Sequence, residues 1–340
     1  MRKIAAGILA VAIVGALAGC SSSGTAAAPA SAEDAAAAFK DQTITLVVPF
    51  DPGGGYDVYA RMLAPELAKQ LDATVIVENR PGAGGILATN ELVRADADGL
   101  TIAMFNGPGH LGAALAKTDG VQYDAEAISY IGQISSEPDV VVGSGSTDIE
   151  TVEDMAGTRF AATGPGSNEY IDPVVLNELL GLKAEVVTGF ASSNEASLNV
   201  VQGNVDLHSR SFGSQLPGIL AGDLTPLLVI GVNTGEAEIA DVANLVDVVP
   251  ADKKELAELH SDLVSSGRII GAPPGVDEAT LKVLRDAFEA VLTDPAFEKQ
   301  AAEAGRPVHF LSGEDVQTLV TNVMNSPKEY VDLITEAYGG

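Results

Sequence analysis

Between Ile44 and Asp57 the chain reads ITLVVPFDPGGGYD, an apolar run that stops at Pro49 and gives way to three consecutive glycines. The pattern predicts a buried strand, a turn, and a helix over Val58 to Leu71, with Pro65 either kinking that helix or splitting it. Gly53, Gly54 and Gly55 let the backbone turn and remove side chains that would screen its amides, so the turn can offer several N–H groups to an anion at a helix start. A tight turn without a ligand fits the same residues equally well. The turn is neither GxGxxG nor a Gly-Lys-Ser/Thr phosphate loop, so dinucleotides and nucleoside triphosphates are disfavoured.

The unit recurs. Ala73 to Val77 predicts a second strand, followed by Glu78-Asn79-Arg80-Pro81-Gly82-Ala83-Gly84-Gly85 and a helix over Ile86 to Arg94. Leu100 to Phe105 predicts a third strand, closing at Asn106-Gly107-Pro108-Gly109. Three strand, loop and helix units with short connections define an α/β chain with a mostly parallel sheet, whose ligands lie beyond the carboxyl ends of the strands.

Ile128 to Ile134 and Val140 to Val142 predict two further strands, around which the chain crosses to a second lobe. A short helix over Ile149 to Met155 and a strand over Arg159 to Ala162 follow. Thr163-Gly164-Pro165-Gly166-Ser167-Asn168 is a second turn of the anion-holding type before a helix at Glu169 to Leu180, with Ser167 or Asn168 as its N-cap. Val186 to Phe190, Ala196 to Gln202 and Val205 to Leu207 continue the alternation, and Leu227 to Ile230 is the strand on which the chain returns. Asp206 to Ser211 reads as a polar cluster just past a strand. Within it, the Arg210 guanidinium can grip a carboxylate through two parallel hydrogen bonds, or form an ordinary surface ion pair. The C-terminal third predicts helices over Asp277 to Leu292, from Pro295, over Gly313 to Val323 and over Tyr330 to Tyr338, with an edge strand at Val308 to Leu311.

The N-terminus carries an address. Met1-Arg2-Lys3 is basic, Ile4 to Ala16 is apolar but too short to span a bilayer comfortably, and Leu17-Ala18-Gly19-Cys20 resembles the lipobox of bacterial lipoproteins. That resemblance implies a signal peptide over 1–19, cleavage before Cys20 and a lipid on its sulfur. Cys20 is the only cysteine, so no disulfide can form within the chain. Residues 20–40 are small and polar, cannot bury enough surface to fold, and are expected to be a tether. The remaining body exceeds what one core usually serves, which predicts two lobes, 41–135 with 230–340 and 136–229. A net charge of -28 repels nucleic acid and anionic lipid and argues against both as partners. It leaves a carboxylate ligand open, because a Debye length of about 8 Å screens distant charges.

Across the mature chain the motifs resemble those of the periplasmic substrate-binding proteins of tripartite tricarboxylate transporters, the Bug family. The residues that carry the likeness are Leu46 to Phe50 with Pro52-Gly53-Gly54 and Asp57, Ala60-Arg61 with Leu63-Ala64-Pro65, and above all Val77 to Gly85, followed by Asp98-Gly99. Gly203 with Val205-Asp206, Ala221-Gly222, and Pro273-Pro274-Gly275 with Leu292, Asp294 and Pro295 follow in the family's order. The resemblance implies a two-lobed periplasmic-binding-protein-like fold, each lobe a mostly parallel sheet flanked by helices, with a hinge of crossing strands. It implies a monomeric, exported, lipid-anchored receptor that closes over a small carboxylate and delivers it to membrane permease subunits.

Carried over by position, the ligand site comprises Phe50, Asp51, Gly53, Gly54, Gly55, Tyr56 and Asp57 of the first turn and Thr163, Gly166, Ser167 and Asn168 of the second. Asn106, Asp206 and Arg210 complete it. The chain departs from the family in two places: Gly55-Tyr56 stands where members have a hydroxyl pair before the aspartate, so that a hydroxyl contact is either moved or replaced by an aromatic wall, and Arg210 stands where many members have an aspartate, which would suit a second ligand carboxylate. No cofactor or metal is expected. The chain has no GxSxG or HExxH motif, and His110, His208, His260 and His309 are scattered. A ligand sensor for a signalling partner is the alternative, and an extracytoplasmic enzyme the less favoured one.

Overall fold

The computed structural model describes residues 32–164, 167–233 and 235–339. The expected signal peptide, Cys20, the tether as far as residue 31, and Gly166 lie outside the described residues. The rest of the expected tether is structured: α1 (Ala32–Phe39) is a helix, and Phe39 is 1% exposed within the core beneath β1. An alanine-rich segment has high helix propensity, and one large apolar side chain at its end suffices to dock it.

The first lobe opens with three strand and helix pairs: β1 (Thr43–Val48) with α2 (Gly55–Leu71), β2 (Thr74–Asn79) with α3 (Ile86–Leu92), and β3 (Thr101–Asn106) with α4 (Gly107–Leu115). β4 (Ser129–Ser135) then leads across to the second lobe. There β5 (Asp139–Ser144), β6 (Arg159–Ala161), α5 (Asn168–Leu180), β7 (Glu185–Val187), α6 (Ser193–Val201), β8 (Leu207–Ser211), α7 (Phe212–Ala221) and β9 (Leu224–Ile230) follow in order. The return passes through α8 (Leu245–Val248) and α9 (Lys254–Ser265) to β10 (Arg268–Ala272). The chain finishes with α10 (Glu278–Leu292), α11 (Pro295–Glu303), β11 (Leu311–Ser312), α12 (Gly313–Met324) and α13 (Lys328–Ala337).

Both sheets are mixed, in the orders β11-β4-β10-β3-β1-β2 and β7-β6-β8-β5-β9. β1 runs parallel to β2 and β3, and β6 runs parallel to β7 and β8, as helical crossovers require. The strand that enters each sheet from the other lobe is reversed: β10 is antiparallel to β3 and β4, and β5 to β8 and β9. A chain crossing between lobes arrives at the edge where the parallel strands end, so its next strand must run back against them.

Leu46 and Val48 of β1 pack with Tyr59, Leu63 and Leu67 of α2 and with Leu284 and Phe288 of α10. That buried face carries α2 through Pro65 as one helix, the first of the two expected outcomes rather than a split into two segments. On the other side Val47 and Phe105 join Leu111, Val320 and Tyr330 in a core that continues through Leu263 and Val264 of α9 to Phe160, Leu176 and Leu228 of the second lobe. A polar stitch runs through the same region. Asp172 Oδ1 of α5 and Tyr330 Oη of α13 flank the ring nitrogens of His260 of α9 at 3.1 and 3.3 Å.

Two local expectations change. Ile149 to Met155 contains only a short 3-10 turn, Glu153–Met155. The polar run after Asp206 is not a loop beyond a strand but β8 itself, with His208 and Ser209 fully buried because helices cover both faces. At the start of β10, Gly267 has φ of +50° and a Cβ there would lie 2.1 Å from Ser135 O. Gly267→Ala is therefore expected to cost about 2 to 4 kcal/mol, read from the urea midpoint at unchanged m.

Candidate functional site

The carboxyl ends of the parallel strands bring the two glycine turns face to face across a cleft of about 1070 Å³. Phe50, Asp51, Gly53, Gly54, Gly55, Tyr56 and Asn106 line it from the first lobe, and Thr163, Ser167, Asn168 and Arg210 from the second. The helices that begin there, α2, α4 and α5, have Gly54, Asn106 and Ser167 as N-caps, and none receives a side-chain cap. Helix-start amides without a capping acceptor carry partial positive charge, so the starts of α2 and α5 face one space as donors. At α4, by contrast, the Gly107 N–H is taken by Gly267 O at 2.7 Å and Pro108 has no N–H.

Each turn is braced by a carboxylate from the helix that follows it. Asp57 is 3% exposed and does not line the cleft, a correction to its expected ligand role. Its Oδ2 accepts the Gly53 N–H at 2.8 Å and Arg61 Nε–H at 2.9 Å, while Asn79 Nδ2 donates to Oδ1 and to Phe50 O, each at 2.9 Å. Arg61, with Gly53 and Asn79 assisting, outweighs burial and holds the Asp57 carboxyl at about 2. The second turn repeats the device. Glu169 Oε2 accepts the Thr163 N–H at 3.0 Å, so that amide is not open to a ligand.

Burial pushes the Glu169 carboxyl up, but the His208 imidazole 3.6 Å away, Ser193 and the Thr163 amide together hold it at about 2, below its ordinary 4.5. A carboxyl lowered in the folded state contributes stability that is complete above the ordinary value and drains as pH falls toward the folded one. The stability gap between wild type and Glu169→Gln is therefore expected to shrink from pH 5 to pH 2, measured by urea unfolding across that range. A gap independent of pH would show that Glu169 does not brace the turn as a carboxylate.

Two arginines reach the cleft. Arg210, at the end of β8, donates from Nη1 to Asn194 Oδ1 at 2.8 Å and has no ion pair among the described residues. Burial lowers its pKa, while Glu169 and Asp139 work in the other direction. Asp206, expected beside it, lies outside the cleft lining: its carboxylate takes the Arg159 backbone N–H at 2.9 Å and the Arg159 side chain at 3.2 Å. Asp206 precedes β8 and Arg210 stands near its carboxyl end, so four residues of extended chain hold the two about 13 Å apart.

Arg268, at the start of β10, was not foreseen. Its Nη1 donates to Ser135 Oγ at 3.0 Å and to Glu137 Oε1 at 3.2 Å, and its Cζ sits 5.0 and 4.8 Å from the ring centres of Tyr56 and Tyr59. The available signal was Ile269-Ile270 between Gly267 and Pro273-Pro274, a strand too short to stand out among helices. Glu137 and Asp139, on the crossing from β4 to β5, also line the cleft and were missed. Burial, and then the charge of Asp172, push the Asp139 carboxyl well above the usual range, and Asn168 Nδ2 donates to it at 3.0 Å. Tyr56 forms the expected aromatic wall, 4.6 Å from Phe50 by ring centres, with its hydroxyl donating to Asn106 Oδ1 at 2.9 Å. Among the described residues no group of three or more His, Cys, Asp or Glu is placed to hold a metal ion.

Two α/β lobes around a cleft framed by strand ends define the architecture of a periplasmic-type solute-binding protein. The model of the tripartite tricarboxylate transporter family receptor matches residues 59–335, and the chain belongs to that family. BugT of Bordetella pertussis is 27% identical over 300 residues, covering 83% of this chain and 85% of that protein. A TctC solute-binding protein from Polaromonas, solved without ligand, superposes with a TM-score of 0.70 at 19% identity, covering 87% of this chain and 98% of that one. MatC of Rhodopseudomonas palustris, solved with bound malate, gives 0.65 at 22% identity, covering 86% and 99%. A second R. palustris protein, solved with adipate, gives 0.67 at 20%, covering 88% and 97%.

Proposed function

We infer that the protein is an extracytoplasmic receptor that captures a small carboxylate between its lobes and hands it to membrane permease subunits of a tripartite transporter. It binds and releases without chemistry or cofactor. The observation that carries this reading is Arg210: in a chain with 47 acidic residues against 19 basic ones, a cleft-lining arginine with no ion pair among the described residues suits a ligand's acid group. The uncapped starts of α2 and α5 supply neutral donors from either side. Malate and adipate, the ligands of two structural neighbours, are acids of matching chemistry. Three or four charge-assisted hydrogen bonds of about 1.5 to 3 kcal/mol each, less the cost of ordering, are compatible with micromolar affinity.

The working unit is a monomer, and Cys20 is its proposed lipid attachment point. Among the described residues no helix is long and apolar enough to cross a membrane. Calorimetric titration with mono-, di- and tricarboxylates tests the reading, with 1:1 binding of at least one acid and a matching rise in melting temperature expected. Silence across the whole panel would remove the receptor reading.

A further inference from the structure

Arg268 is 7% exposed, yet it belongs to the cleft lining. Tyr56 and Tyr59 fix its plane from two directions, and Ser135 and Glu137 occupy Nη1. Glu137 is itself shared, since its Oε1 also takes the Tyr59 hydroxyl at 3.3 Å and its Oε2 the Gly213 N–H at 3.2 Å. The rest of the guanidinium is unspent. Nε is buried without a partner, and Nη2, which has none among the described residues, faces Gly55, where a Cβ would lie 3.6 Å from it. Gly55 is the first residue of α2, whose start lacks a side-chain cap. A fixed cation with an open donor and an uncapped helix start thus converge on one point of the cleft, and unmade hydrogen bonds at a buried charged group are costly until a ligand supplies the acceptor.

We propose that Arg268 is a specificity-determining residue: with the Gly55 N–H it holds one anionic group of the ligand on the first lobe, while Arg210 holds the other on the second. This rests on the receptor reading and adds, on the first lobe, a charged contact to what would otherwise be a grip through amides there. It has a direct consequence for selection. A ligand with an acid group at each end satisfies both arginines, whereas its half-amide satisfies one.

The test uses calorimetric titration of wild type and Arg268→Gln with the straight-chain diacids from malonate to adipate and the half-amide of each. Wild type is expected to bind its best diacid at least about 10-fold more tightly than the corresponding half-amide, the scale of one charge-assisted hydrogen bond. In Arg268→Gln that preference falls to within about 3-fold, chiefly through weaker diacid binding. Equal weakening of both ligands, with the preference intact, would assign Arg268 a structural role only and overturn the proposal. So would a wild type that binds diacid and half-amide alike, an outcome that leaves the receptor reading standing. No binding of any acid sinks both. Should loss of the Glu137 partner unfold Arg268→Gln, the double variant Glu137→Gln/Arg268→Gln removes both charges and reports the same ratio.

Discussion

Arg210→Ala is expected to weaken binding of the cognate acid by about 10- to 100-fold, the loss of one charge-assisted contact of about 1.5 to 3 kcal/mol. The unliganded protein should keep its melting temperature, because the side chain makes one hydrogen bond, to Asn194, and no ion pair among the described residues. Titration calorimetry on folded variant and wild type gives the comparison directly. An unchanged affinity removes Arg210 from the site, and a large fall in the melting temperature of the unliganded variant would mean that the residue holds the lobe together instead.

The opposite profile is expected at the hinge. Glu137→Ala should lower unfolding free energy by about 3 to 5 kcal/mol, since it leaves the Arg268 guanidinium buried without its counter-charge. The same change frees the Tyr59 hydroxyl and the Gly213 N–H of one acceptor each. Adding Arg268→Met should return a large part of that loss, because removing both members of a buried pair costs far less than removing one. Urea titration of the two single variants, the double and wild type closes the cycle. A loss below about 1 kcal/mol for Glu137→Ala would show the pair to be solvated in practice.

The strand and turn units were legible because apolar runs and glycine breaks are local properties: β1, β2, β3 and β6 lie within a residue or two of where the pattern predicts them. Ser167 holds the expected N-cap position, but its hydroxyl donates to Gly164 O instead of capping α5; Tyr56, named through the family resemblance, and Arg210, named from the polar run, both line the cleft. What stayed hidden was the use of each polar group. Gly53 and Thr163 were expected to offer their amides, yet Asp57 and Glu169 fold back from the next helix turn and take them. Neither periodicity nor composition reveals which carboxylate turns inward. β8 was misplaced for a related reason: a strand covered on both faces loses its alternation, and its His208 and Ser209 are buried because Glu169 and Asp172 stand opposite them. Asp206 and Arg210 are neighbours in sequence, but the extended chain of β8 carries them to opposite ends of the strand, and Asp206 pairs with Arg159 there.

The apolar core that runs behind the cleft, with His260 set between Asp172 and Tyr330, ties α5 to α9 and α13 along the rear of the molecule. Prising the halves apart there would wet that seam at roughly 25 cal/mol for every Å² of apolar surface and strand a buried imidazole. Under the proposed receptor role, any opening for a ligand would therefore be a gape of limited travel at the front lip, with the back margin as its sealed fulcrum.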